Sequence, residues 1–260
     1  MDKLSIREIE GLLALKNDEK DPFILEAEKD GRKGVQRLLQ KWKKDRAAEK
    51  RLKEKFYKMT AFERDARNSG YTLIAGIDEA GRGPLAGPVV AAAVILPENF
   101  FLPGLDDSKK LPAKKREEYE IAIKNEAVSF GIAFVSAEEI DELNIYQATI
   151  KAMHAASAAL KPVPDYLLVD AVKLDTPFPC EPIIKGDAKS VSIAAASILA
   201  KNARDRYMVD LAAKYPYYGF EKNMGYGTRE HLEAIEKYGA TPIHRTSFAP
   251  LKPVEESNKA

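Results

Sequence analysis

The sequence predicts a mixed α/β layered domain preceded by an all-helical extension. Three observations carry this. Up to Gly70, apolar residues recur at helical spacing and no strand pattern occurs. From Tyr71, apolar runs of strand length begin, separated by a Gly/Pro-rich connection. Further on, strand candidates alternate with helical segments, the order expected of a sheet covered by helices.

Element by element, Ser5 and Glu8 spell a capping box, and the Leu/Ile spacing after them suits an amphipathic helix to about Lys16. Asp21-Pro22 restarts a short helix, because proline tolerates the first helical position. Gly31 and Gly34 interrupt it. A long charged helix follows from about Val35 to Lys58, anchored by Leu38, Leu39, Trp42 and Phe56. Thr60 with Glu63 repeats the capping-box pattern, and Asn68-Ser69-Gly70 ends the segment. Strands are predicted at 72–77, 88–96, 127–135 and 166–169, with helices at 144–160 and 190–214. The expected organisation is a helical extension over 1–70, a mixed α/β domain with a helical C-terminal part over 71–250 and a polar tail over 251–260.

The chain of 260 residues is 45% hydrophobic, enough to bury a sizeable core, and lacks an apolar run long enough to span a bilayer. Residues 1–8 carry acids and no apolar stretch, which predicts no secretory leader. Cys180 is the single cysteine and cannot form an internal disulfide, so a reducing cytoplasm is expected. A net charge of +1 conceals an asymmetry. Residues 1–70 hold 19 basic against 14 acidic residues, and residues 31–58 hold 12 against 3. Such a block is either a solvated helix or a face for a polyanion.

The chemistry concentrates in the acids. At Gly76-Ile77-Asp78-Glu79 an apolar strand runs into two adjacent carboxylates, which are costly to bury unless a hard divalent cation neutralises them. Taken alone, the pair could equally cap a solvated turn. A phosphate-loop reading fails, because the glycines at 81, 83 and 87 miss the spacing and no Gly-Lys-Ser/Thr follows. A second strand ends in Asp170. Asp187 precedes the helix starting near Ser190, where helix capping is the plain alternative. Converging at one rim of a sheet, four carboxylates would balance two divalent cations and suit phosphodiester hydrolysis.

Asp78-Glu79-Ala80-Gly81-Arg82-Gly83, Asp107-Ser108-Lys109-Lys110-Leu111, Val169-Asp170, Lys185-Gly186-Asp187, Ser192 to Lys201 and Gly225-Tyr226-Gly227-Thr228 together resemble the signature of bacterial ribonuclease HII. The resemblance covers about Tyr71 to Pro250, and Gly81-Arg82-Gly83 sets it apart from ribonuclease HIII. It implies an RNase H-like fold, a central mixed sheet flanked by helices with a smaller helical C-terminal part. It implies Asp78, Glu79, Asp170 and Asp187 as catalytic, metal-binding carboxylates for Mg²⁺ or Mn²⁺. The implied reaction cuts on the 5′ side of a ribonucleotide, leaving 3′-hydroxyl and 5′-phosphate ends. RNA·DNA hybrids and ribonucleotides embedded in duplex DNA are the implied substrates, and ribonucleotide excision repair the implied setting.

The same resemblance assigns Gly81, Arg82 and Gly83 to reading the 2′-hydroxyl, and Tyr226 to stacking on the next sugar. Glycines permit a close backbone approach to a sugar. Lys109 and Lys110 are expected phosphate contacts, although a lysine in a surface turn is ordinarily just solvated. Lys185 and Lys189 could also steer the backbone. His154, His231 and His244 lack metal-ligand spacing and are expected to be structural or exposed. Ser197 is expected to allow close packing. A monomer is the default expectation. The rival reading is a non-catalytic nucleic-acid-binding protein on the same fold.

Overall fold

The structure, a computed structural model, describes residues 4–251. The predicted polar tail, apart from Leu251, lies outside them. The chain divides into two compact units, one ending at Tyr57 and one beginning at Lys58.

The first unit is helical. Helix α1 (Ile6–Ala14) opens with the predicted capping box, Ser5 N donating to Glu8 at 2.7 Å and Glu8 N to the Ser5 hydroxyl at 3.3 Å. Helix α2 (Pro22–Glu28) is capped by Asp21. Helix α3 (Lys33–Met59) starts earlier than the glycines suggest and takes Gly34 into its first turn. Ile9, Leu13, Ile24, Val35, Leu39 and Trp42 close a small core. Lys41, Lys44, Lys50, Arg51 and Lys53 lie exposed along α3.

The second unit begins with α4 (Ala61–Asn68) and holds one sheet of five strands: β1 (Ile74–Ala80), β2 (Val89–Ile95), β3 (Ser129–Val135), β4 (Tyr166–Asp170) and β5 (Cys180–Ile183). Their order is β3-β2-β1-β4-β5. Strands β1, β2 and β3 pair antiparallel, whereas β4 pairs parallel with both β1 and β5. Helices α5 (Ala113–Glu126), α6 (Ala137–Leu143), α7 (Ile145–Ala158) and α8 (Val191–Lys214) surround the sheet, and α9 (Phe220–Asn223) and α10 (Arg229–Tyr238) follow. Strand β5 is absent from the sequence prediction, since Glu181-Pro182 breaks any apolar alternation in so short a strand.

The two sheet faces explain where the acids go. Ala75 and Ile77 point into the core shared with Ala148, Ala152 and Met153 of α7. Side chains alternate along a strand, so Ile74, Gly76 and Asp78 face α8 instead. Ile74 and Leu168 pack with Ile193 of α8 on that side. A Cβ on Gly76 would lie 2.1 Å from the Ser192 carbonyl carbon, so only glycine lets α8 sit this close. The Ala-rich start of α8 is buried on all sides.

The unit boundary falls before α4, not at residue 70 where the sequence pattern changes. Phe62 and Ala66 of α4 pack with Ile74, Leu168, Ile183 and Ile193. The predicted capping box is not made: the Thr60 side chain does not cap, and the buried Glu63 carboxylate accepts bonds from Ser190 and Ser192 instead.

Candidate active site

Strand register places the first pair of acids. Ile77 pairs with Val169 across the parallel β1/β4 ladder, so Asp78 and Asp170 come next on neighbouring strands, facing α8. Asp78 is buried, and its Oδ1 accepts the Glu79 N–H at 2.7 Å. The Ser197 hydroxyl lies beside it, and Ser197 also bonds Ser108 at 2.9 Å. Ser197 therefore does more than permit packing: it links Asp78 to the turn carrying Lys109.

Glu79 follows on β1, half-buried, with Oε1 3.4 Å from the Arg82 guanidinium. Its Oε2 is buried with no partner among the described residues. Asp170 ends β4, and its Oδ1 accepts the Gly186 N–H at 2.6 Å. Asp187 sits in the 3₁₀ turn Gly186–Ala188 just ahead of α8. The α8 cap itself is Ser190, whose hydroxyl accepts from Ile193 N, so Asp187 is released from the capping role.

Electrostatics ties the four together. Burial, then the neighbouring charges of Glu79 and Asp170, push the Asp78 carboxyl well above its ordinary range. Glu79 is raised by burial and Asp170, against the lowering influence of Arg82 and Lys109. Asp187 is raised by burial, then by Asp107 and Asp170. Such a cluster holds more negative charge than its surroundings neutralise. Its donors are all hard oxygens, and one is an orphaned buried carboxylate oxygen, so the residues fit a Mg²⁺- or Mn²⁺-type cation. No three of these side chains close on a single point among the described residues; one oxygen of Asp78 and one of Asp170 accept the N–H donors named above.

The remaining candidates divide. Lys109 is exposed and lies near both Glu79 and Asp187. Lys110, also exposed, pairs with Asp106 at 3.3 Å. Gly83 is exposed, a Cβ added to it would lie 3.8 Å from the Tyr226 ring, and Tyr226 is itself 46% exposed, so loop and tyrosine present one surface. His231 and His244 are buried and joined at 3.0 Å through their Nε2 atoms, and His231 Nδ1 meets the Tyr226 carbonyl at 2.9 Å.

Three residues near the site were given no role by sequence reasoning. Asp107 stands beside Asp187, and Arg204 and Arg245 bury their guanidinium groups under the Gly81–Gly87 loop. Asp107 was legible as part of Asp107-Ser108-Lys109-Lys110. Nothing local marks the two arginines, because their partners are backbone carbonyls, all but the Met224 carbonyl more than a hundred residues away.

A family model described as Ribonuclease HII matches residues 75–251, and one described as Ribonuclease HII N-terminal domain matches residues 5–67. A ribonuclease HII of Bacillus cereus is 56% identical over 253 residues, 97% of this chain and 98% of that protein. Ribonuclease H2 from Pyrococcus horikoshii OT3 superimposes with a TM-score of 0.60 at 28% identity, over 68% of this chain and 94% of that one. A Bst ribonuclease HIII solved in complex with Mn²⁺ shares the fold at a TM-score of 0.53 and 20% identity, over 72% of this chain and 70% of that one.

Proposed function

The chain belongs to the ribonuclease HII family and is an endoribonuclease acting on RNA–DNA hybrids, and from that premise we propose how its site works. Asp78, Glu79, Asp170 and Asp187 hold two divalent ions, Mg²⁺ or Mn²⁺, and the enzyme cuts 5′ of a ribonucleotide. The products carry 3′-hydroxyl and 5′-phosphate ends. The single observation that carries this reading is the buried Asp78 carboxylate beside Asp170 on the α8 face of β1 and β4, with the neighbouring acids repelling it.

Held by Asp78, Glu79, Asp170 and Asp187, divalent ions would supply activation of a water and neutralisation of the leaving oxygen of a phosphodiester. The chain's own residues do the rest. Asp78 is the deepest of the four and is fixed by its strand, the Glu79 amide and Ser197. Asp170 is oriented by the Gly186 amide, which leaves its second oxygen for the site. Glu79 contributes an unpaired oxygen, and Asp187 closes the outer side. Lys109 supplies a positive charge beside Glu79 and Asp187, placed to meet a phosphate.

Substrate selection falls to the exposed loop and tyrosine. Gly81-Arg82-Gly83 reads the 2′-hydroxyl, and Tyr226 stacks on the following sugar, which selects a ribose–deoxyribose junction. Embedded ribonucleotides in duplex DNA are therefore substrates beside hybrids, and excision of such ribonucleotides is the setting. The exposed lysines and arginines of α3 add affinity for the duplex backbone irrespective of sequence. We take the protein to act as a monomer in the cytoplasm. No helix among the described residues is long and apolar enough to cross a membrane.

Cleavage of a duplex holding one ribonucleotide, with and without Mg²⁺ or Mn²⁺, tests this. Cutting should require the ion, and Asp78→Asn should abolish it in a folded protein. Normal cutting by that variant would place the site elsewhere.

A further inference from the structure

Arg204 of α8 is 1% exposed and Arg245 is fully buried, yet neither guanidinium touches a carboxylate among the described residues. Every hydrogen bond they make ends on a backbone carbonyl. Arg245 donates to the carbonyls of Gly81 at 2.6 Å, Arg82 at 2.9 Å and Gly87 at 2.8 and 3.0 Å. Arg204 donates to Ala86 at 3.1 Å, Pro88 at 3.0 Å and Met224 at 3.0 Å. Burial lowers Arg204 to about 10, and burial together with the Arg204 charge lowers Arg245 to about 9, so both remain cationic at neutral pH. Two buried like charges are an expensive way to stabilise a fold. What they secure here is orientation.

In a trans peptide the C=O and the N–H point to opposite sides. Pinning the Gly81 and Arg82 carbonyls inward turns the Arg82 and Gly83 amides outward. Those two amides donate to nothing within the protein among the described residues, and both residues are exposed or half-exposed at the surface. The second jaw is held by the same hardware. Arg204 binds Met224 just before Tyr226, and Leu85 N donates to the Gly225 carbonyl at 2.8 Å.

We propose that Arg204 and Arg245 are positioning residues that determine sugar selection, locking the Gly81–Gly87 loop and the Tyr226 turn into one rigid surface with two outward amides. The inference rests on the assignment of Gly81-Arg82-Gly83 as the ribose reader. A preformed pair of donors recognises a 2′-hydroxyl without the ordering cost that a mobile loop would bear.

Two measurements on the full chain test it. In the wild type, ¹⁵N relaxation of the Arg82 and Gly83 amides should give order parameters near the rigid value of about 0.85, and values below about 0.6 overturn the clamp whatever any variant does. Arg204→Lys and Arg245→Lys keep the charge, but one ammonium cannot reproduce the planar fork that spans three carbonyls. For each variant, kcat/KM is compared between a duplex with one embedded ribonucleotide and a continuous hybrid of the same sequence. The ratio should fall at least tenfold, while Mn²⁺ affinity followed by calorimetry stays unchanged. An unchanged ratio, or an equal loss on both substrates, overturns the positioning role. Should either variant fail to fold, the relaxation result decides alone. A wild type that shows no preference for the junction would overturn the ribose-reader assignment itself, and this inference with it.

Discussion

Glu63 of α4 and Ser190 at the head of α8 lie 127 residues apart in sequence and are joined by a 2.6 Å hydrogen bond. The same Glu63 oxygen accepts the Ser192 N–H at 2.9 Å. A carboxylate at a helix N-terminus meets both orphan donors and the positive end of the helix dipole. This helix carries Ser197 and Arg204 and starts just after Asp187, so α4 braces the helix on which the candidate site is built. Residues 61–68 thus act with the sheet unit although their composition resembles the extension.

Truncations should separate these roles. A chain beginning at Lys58 keeps α4 and should fold and cut. One beginning at Tyr71 loses Glu63, exposes Ile74 and Ile193, and should lose most of its cleavage rate. Glu63→Ala leaves a buried hydroxyl and a buried amide without their acceptor, which costs on the order of 2–3 kcal/mol. Urea denaturation measures this, and a loss under about 0.5 kcal/mol would rule out the bracing role.

The same Lys58 truncation tests the basic helix. If Lys41, Lys44, Lys50, Arg51 and Lys53 meet duplex phosphates, affinity should drop on truncation. The slope of log affinity against log salt should also flatten, by about 0.9 for each phosphate no longer neutralised. Mn²⁺ affinity should not change. A slope identical to that of the full chain would assign α3 to something other than the duplex backbone.

The raised carboxyls predict a pH dependence with a definite sign. Asp78, Glu79 and Asp187 bind protons more readily folded than unfolded. Their contribution to stability is therefore present at low pH and lost as pH rises through the raised values. The metal-free protein should gain thermal stability as pH falls through the raised values toward the ordinary carboxylate range, and divalent ions should restore stability most at the high end. His231 and His244, both lowered by burial, act oppositely below about 6.5, their ordinary value. Comparing wild type with Asp78→Asn cancels the histidines. That variant should be more stable by about 1 kcal/mol at neutral pH while losing cleavage about a thousandfold. Lower stability in the variant would mean that the carboxylates do not repel.

How much of this was legible depended on whether a residue's reason is local. Asp78 and Asp170 announced themselves because each follows directly on an apolar run, and the period-2 alternation that puts Ile77 in the core sends Asp78 to the α8 face. The Ser5–Glu8 box was readable because both partners lie within one turn. Thr60–Glu63 carried the same pattern, but a long-range partner outcompeted the local one. Arg204 and Arg245 were invisible for the same reason. A guanidinium aimed at distant carbonyls leaves no spacing rule in the chain.

Gly81 and Gly83 looked equivalent in sequence, and the structure separates them. Gly81 has φ +93°, and a Cβ there would lie 2.0 Å from Arg204 Nε, so its need for glycine comes from inside the protein. A Cβ added to Gly83 would meet nothing nearer than the Tyr226 ring at 3.8 Å, so any need for glycine there comes from the substrate side. Gly81→Ala should cost about 1–3 kcal/mol from strain alone, with further loss from the displaced arginine. Gly83→Ala should leave the melting temperature unchanged yet weaken cutting at embedded ribonucleotides several-fold. A Gly83→Ala enzyme with wild-type rates on that substrate would show that the outer face of the loop does not approach the sugar closely, and would move ribose recognition to other residues.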